Sequence, residues 1–562
     1  LKKFFMIFGL YLLFFVVPLS SRAHWNHDDS PSIQPGHLHT HASEASNTKT
    51  DQPCQLTLKL VDAETGEPIP GLIRITTPDG HLVDPTGLLN RADQTDADGY
   101  GPSAYSHFSS WWILDRERTF AVPGASLNIE AFQGQTSKMA RVVVDLTGQD
   151  QASITVPLFF YSRPQKENWY AGNPHLHYKK ASREEAERYT IQVPPADGLD
   201  VIFFSLLERI GRSENYVSNT YTREDLDSFE QQTGILFGYG EEYRHNFRKG
   251  EGFGHIMLLN LDKLFLPASF GEKLTGEPYD DWSLMATLVA SRRRGGTNLW
   301  CHNKMGLESI PNWVHETVDA QLIFDTGSRA EYEPTFYRYM NIGLDVPFAT
   351  GTDWFLQDMA MTWVKVKDEL SLESWLGALA AGRSYISNGP QMKFSVDGKD
   401  IGESLHLKTS GPVRVKGTIE SRVDFKVTEV LQNGEVIANA KAEPAGGIYR
   451  AVIDEDIQVD QSSWFVLRIP PFEGSYTKPE PLSPVFNEYG KPLFAHTSAI
   501  RVYVGDSWVF KPEVARELID EMEQDRRTVI EKATFSSERQ AREVLMVYDQ
   551  AMEILGRRIE DQ

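Results

Sequence analysis

The run WYAGNPHLHY, from Trp169 to Tyr178, stands where a β-rich leader gives way to segments that alternate between apolar strands and helical stretches. It places His175 and His177 at i and i+2, and on an extended strand those two side chains share one face. A barrel strand can offer a metal two ligands in this way. In a chain with 15 histidines such a pair gains meaning only if distant Glu, His and Asp residues fall where they can close around it.

Downstream, Gly198–Ser205 is a continuous apolar run suited to a strand covered on both faces. Ile235–Gly240, His255–Asn260, Thr297–Trp300 and Phe348–Thr350 are further candidate strands, and the alternation with helical stretches argues an α/β body. Polar residues follow several of these strands: Glu241 and Glu242, His302, and Asp353. Active sites of β/α barrels gather at such C-terminal strand ends.

Upstream, residues 54–162 form short alternating strands broken by turns such as Thr65-Gly-Glu-Pro-Ile-Pro-Gly71, which is β-sandwich grammar. This segment resembles the carboxypeptidase-regulatory, transthyretin-like type of module. It carries no catalytic set, so a positioning role is expected. Residues 24–53 are polar and rich in Ser, His and Pro, a composition that predicts a disordered linker. Its His37, His39 and His41 imitate the later pair without a scaffold to fix them. Ahead of it, Lys2 and Lys3, the apolar run Phe4–Leu19 and Ser21-Arg22-Ala23 read as a signal peptide over 1–23. The expected mature protein is exported, to a periplasmic, extracellular or cell-surface location, and keeps no membrane span after cleavage.

The formal net charge is −22, and more negative still once Lys2, Lys3 and Arg22 are removed. Few nucleic-acid phosphates would be attracted to such a surface, so no nucleic-acid partner is expected. Cys54 and Cys301 are the only cysteines. A bridge between them and a buried or ligand-adjacent thiol at Cys301 are both open. Beyond the body, residues 392–506 again show alternating strands, with an Asn433-Gly434 turn, and read as a second β-sandwich. Residues 507–562 turn helical. Val514, Leu518, Ile519, Met522 and Ile530 recur at helical spacing, and Ser536-Ser537-Glu538 offers a cap for a second helix.

Seven pieces in order carry a resemblance: GNPHLH (172–177), GLDVI (198–202), GEE (240–242), GHIML (254–258), WCHN (300–303), NIGLDVPFATGTD (341–353) and AGRSYISNGP (381–390). Over Trp169–Val504 the chain resembles the PHP-type metallohydrolases, specifically the CehA/McbA-like branch. The resemblance implies a distorted β/α barrel over 163–391, with metals at strand ends, that hydrolyses an ester, carbamate, amide or phosphoester bond. It matches His175, His177 and Asp353 to ligands of one metal and His255 and His302 to those of a second. Glu242 matches the carboxylate that bridges them, and Glu241 is the neighbouring alternative. His315, Asp325, Asp345 and His496 are read as structural.

The departures fall together. Leu207, Phe355 and Arg183 stand where ligands of a third metal occur in trinuclear relatives, so a dinuclear centre is expected, holding Zn, Mn or Fe. A shared hydroxide would attack the substrate, and donors for the developing anion are sought in Arg209, Arg244, His245 and Lys304. Glu208, Arg209 and Arg244 are the catalytic candidates. The alternative is a non-catalytic binding protein on a degenerate barrel.

Overall fold

The structure, a computed structural model, describes residues 52–91, 110–178, 181–209, 216–248, 252–261, 263–303, 305–324, 332–354, 359–470, 474–475, 478–479 and 485–561. The expected signal peptide, nearly all of the His-rich linker, Lys304, Asp325 and Phe355 lie outside these residues. The chain folds mainly into β-sheets, with helices set between the central strands and a helical tail at the C-terminal end. Among the described residues no helix is long and apolar enough to cross a membrane.

In the N-terminal region the strand Pro53–Asp62 buries Cys54, Leu56, Leu58 and Leu60 on one face, the period of two expected of a half-buried strand. It pairs antiparallel with Arg118–Pro123 and parallel with Gln151–Leu158. Its apolar face shares one core with Ile73, Ile75, Leu127 and Ile129 of a five-stranded sheet.

Trp169–His177 is the hub of the central sheet. It pairs parallel with Val201–Leu206 and Asp353–Trp354, and antiparallel with Met361–Lys365. Val201–Leu206 runs parallel to Leu236–His245. Helices Arg183–Asp197 and Arg223–Thr233 connect these strands, and each begins on a hydroxyl N-cap, Ser182 or Thr222. One element departs from simple β/α alternation. Gly254–Leu259 lies antiparallel to both Leu236–His245 and Thr297–Trp300, so Leu236–His245 continues through Glu241 and Glu242 instead of ending before them.

The ladder also continues across position 391. Ser384–Ser387 pairs with Met361–Lys365 on one side and with Ala495–Thr497 on the other. The tail helices, Pro512–Lys532 and Glu538–Glu560, bury Leu518, Met522, Val529, Val544, Tyr548 and Leu555 in one core with Ile310 and Trp313 of the body. Ser537 is the cap, accepting from the Gln540 amide at 3.3 Å. Ile530 is exposed and Val529 takes the buried position beside it. His315, whose ring nitrogen lies 2.9 Å from the Val547 carbonyl, ties the tail to the body.

Cys54 and Cys301 are both buried, form no disulfide with each other, and lie in separate cores. His496 is buried between the Tyr337 hydroxyl and the Thr497 carbonyl, each 2.7 Å away. Burial and the nearby Arg468 push its pKa down to about 3, below the ~6.5 of an unfolded histidine. Its contribution to stability is therefore complete above pH ~6.5 and is lost as pH falls from there towards 3, because only the unfolded chain binds the proton. In His496→Gln the slope of unfolding free energy against pH across that window should be shallower by about 1.4 kcal/mol per pH unit, read from denaturant titrations.

Candidate metal centre

The extended Trp169–His177 strand brings His175 and His177 to one face, with their Nε2 atoms 3.1 Å apart. His177 Nδ1 lies 2.7 Å from the Ser205 carbonyl, which can only accept, so the ring proton sits there and the Nε2 lone pair faces the site. Asp353 sits one strand over, in register with Leu176. Its Oδ1 is 3.4 Å from His175 Nε2 and 3.6 Å from His177 Nε2. Asp353 adopts φ +53°, a left-handed conformation that aspartate tolerates better than most residues. The chain reaches it past Gly351, where a Cβ would stand 2.8 Å from His175 Cβ.

On the neighbouring strand the pleat decides between the two glutamates. Glu241 turns away from the site, accepts from the Phe265 amide at 2.9 Å and 3.0 Å, and is pushed by burial up to about 8. Glu242 turns inward and divides its oxygens. Oε2 lies 3.2 Å from His177 Nε2, while Oε1 lies 2.9 Å from His255 Nδ1 and 3.4 Å from His302 Nε2. Two groups of potential ligand atoms result: His175, His177, Glu242 and Asp353, and Glu242, His255 and His302, each within 4.8 Å. All six sequence-predicted ligands are thus together, and none is more than 8 % exposed.

The charges explain why such a cluster suits a cation. Burial lowers the pKa of His177 and brings that of His255 down to about 3, so the rings are neutral. Burial opposes ionisation of Glu242, but the Arg244 guanidinium holds its carboxyl well below the usual carboxylate range. Asn246 Oδ1, also an acceptor, lies 3.1 Å from His255 Nε2, which places the ring proton on Nε2. His255 Nδ1 is buried without a hydrogen bond although Glu242 Oε1 is 2.9 Å away. Bare lone pairs therefore face carboxylate oxygens among buried side chains, and a divalent ion between them would turn repulsion into ligation.

The catalytic candidates are placed differently from one another. Arg244 is buried with Nη1 3.8 Å from Glu242 Oε2, and its guanidinium is anchored by Ser269 Oγ at 3.2 Å and the Glu208 carbonyl at 3.0 Å. Burial brings its pKa down to about 10, with Arg209 close enough to add to the fall. The Glu208 carboxylate instead accepts from the Ala268 amide at 2.6 Å and belongs to neither ligand group. His245 falls on the outer face of its strand and pairs with Asp280 at 2.7 Å. Arg183 lies exposed on a helix and pairs with Glu187 at 2.7 Å, and Leu207 is fully buried. Of the aromatics near the ligands, Tyr178 and Trp300 are core, whereas Trp354 is partly exposed with its ring 5.3 Å from that of His177. Asn246 escaped the sequence reading; it follows directly on His245, the last residue of the strand that carries Glu242 and Arg244.

Compared with the models of known protein families, with curated proteins and with solved structures, the chain matches none.

Proposed function

We propose that this chain is an exported metal-dependent hydrolase of the PHP type, in the CehA/McbA-like branch, with a dinuclear centre set in a distorted β/α barrel between two β-sandwich modules. The observation that carries this is the division of Glu242, one oxygen towards His177 and the other towards His255 and His302. Bridging carboxylates hold two divalent ions close together. With Leu207 buried where a third ligand would stand, two ions are favoured over three. Neutral imidazoles and carboxylates suit Zn, Mn or Fe.

When bound, such ions polarise the scissile group and lower the pKa of an attached water from about 15.7 towards 7. The chain supplies the rest. Ser205 and Asn246 fix the ring orientations, so each imidazole presents a chosen nitrogen. Arg244, held by Ser269 and the Glu208 carbonyl, keeps a buried positive charge beside Glu242, where negative charge develops on an attacked carbonyl or phosphoryl oxygen. The substrate is a small molecule carrying an ester, carbamate, amide or phosphoester bond.

The test is metal analysis of the purified chain lacking residues 24–53, followed by a panel of aryl esters, carbamates, amides and phosphodiesters. About two ions per chain and turnover of one panel class are expected. Two ions with no turnover of any class would favour a binding protein, and absence of tightly held metal would overturn the proposal.

A further inference from the structure

We propose that the two halves of this centre bind metal with unequal affinity, and that Asn246 is the positioning residue that sets the weaker half. The inference rests on the dinuclear reading above and adds an order of loading to it.

Among the described residues, the half built on His175, His177, Asp353 and Glu242 has four protein ligands, whereas the half built on Glu242, His255 and His302 has three and shares one of them. Support differs as well. His177 is oriented by a main-chain carbonyl, that of Ser205, within paired strands. His255 is oriented by a side-chain amide, Asn246 Oδ1 at 3.1 Å. A neutral amide raises the basicity of its imidazole less than a carboxylate would, and loss of such an outer partner typically weakens metal binding about 10- to 100-fold.

Geometry sharpens the dependence on Asn246. His255 must present Nδ1, the nitrogen nearer its own backbone, because Nε2 carries the proton towards Asn246. Without that acceptor the ring is free to take the other tautomer, which puts a proton on Nδ1 against Glu242. Asn246 itself is held tightly: a Cβ at Gly271 would stand 2.4 Å from its carbonyl oxygen, and one at Gly252 2.6 Å from its Cα. His302, the remaining ligand of this half, sits in a left-handed conformation at φ +56°, so its position too depends on the surrounding structure.

The metal-free full chain should be titrated with zinc against a competing chelator. Wild type is expected to take up two equivalents with affinities about tenfold or more apart. His302→Ala should abolish only the weaker. Asn246→Ala should weaken that same equivalent by about 10- to 100-fold and leave the tighter one unchanged, and Asn246→Asp should restore it. The unfolding midpoint of the metal-free Asn246→Ala protein should match wild type, which a general packing role for Asn246 would not allow. Two equivalents of wild-type affinity in Asn246→Ala, or both weakened alike, would overturn the inference while leaving the dinuclear centre standing. A wild-type chain that takes up no zinc would remove the centre itself.

Discussion

Glu242→Gln is expected to lose both metal equivalents together, whereas His302→Ala loses one. Among the described residues Glu242 is the one common to the two ligand groups, and its two oxygens point in different directions. Glutamine keeps the volume but replaces one acceptor by an NH2 donor, which can hydrogen-bond a bare imidazole nitrogen and cannot bridge two cations. Metal content after purification should fall from about two ions per chain to less than one. A second readout follows from linkage. A ligand that binds only the folded state raises stability by about 2.7 kcal/mol at a hundred times its dissociation constant, so wild type should melt higher on metal addition. Glu242→Gln should show almost none of that rise. Retention of one full equivalent would mean that His175, His177 and Asp353 hold an ion without the shared carboxylate.

The pairing of His175 with His177 was legible in the sequence because its rule is local, whereas Glu242, His255, His302 and Asp353 joined it only through the resemblance carried by the ordered motifs. His175 and His177 face together through the period of a strand, and nothing distant is needed to know it. The choice between Glu241 and Glu242 was not local. It follows from Leu236–His245 running on unbroken beside an antiparallel Gly254–Leu259, a pairing that no alternation in either segment announces. The same cause hid Asn246, which lies beyond the point where that strand was expected to stop. Helix periodicity found the tail, yet it placed Ile530 inward where the structure buries Val529, because one residue of helix rotates a side chain by a quarter of a turn and more. The continuity of the central sheet into Ala495–Thr497 is a contact between segments more than a hundred residues apart, and each strand taken singly is consistent with a separate module.

Arg91→Met should destabilise the protein by about 3–5 kcal/mol without changing its metal content, the cost typical of stranding one member of a buried ion pair. Arg91 Nη2 meets Asp197 Oδ2 at 2.7 Å, with side chains 1 % and 3 % exposed. Asp197 ends the helix Arg183–Asp197, so its carboxylate sits at the negative end of the helix dipole, where an anion is disfavoured and a cation offsets it. The guanidinium also lies 5.1 Å from the ring centroid of Tyr489. One side chain from the N-terminal region thus holds a helix of the central body against a segment that comes nearly three hundred residues later. Removing Arg91 leaves the Asp197 carboxylate buried without that guanidinium, with the Tyr489 hydroxyl 3.5 Å from its Oδ1, whereas Arg91→Met combined with Asp197→Leu removes both charges and should recover most of the loss. Denaturant unfolding of the two single variants and the double variant gives the coupling directly. A full loss that persists in the double variant would assign the cost to packing around Arg91 instead. Because neither residue belongs to a ligand group, metal stoichiometry at wild-type level alongside lowered stability separates this lock between regions from the centre it helps to hold in place.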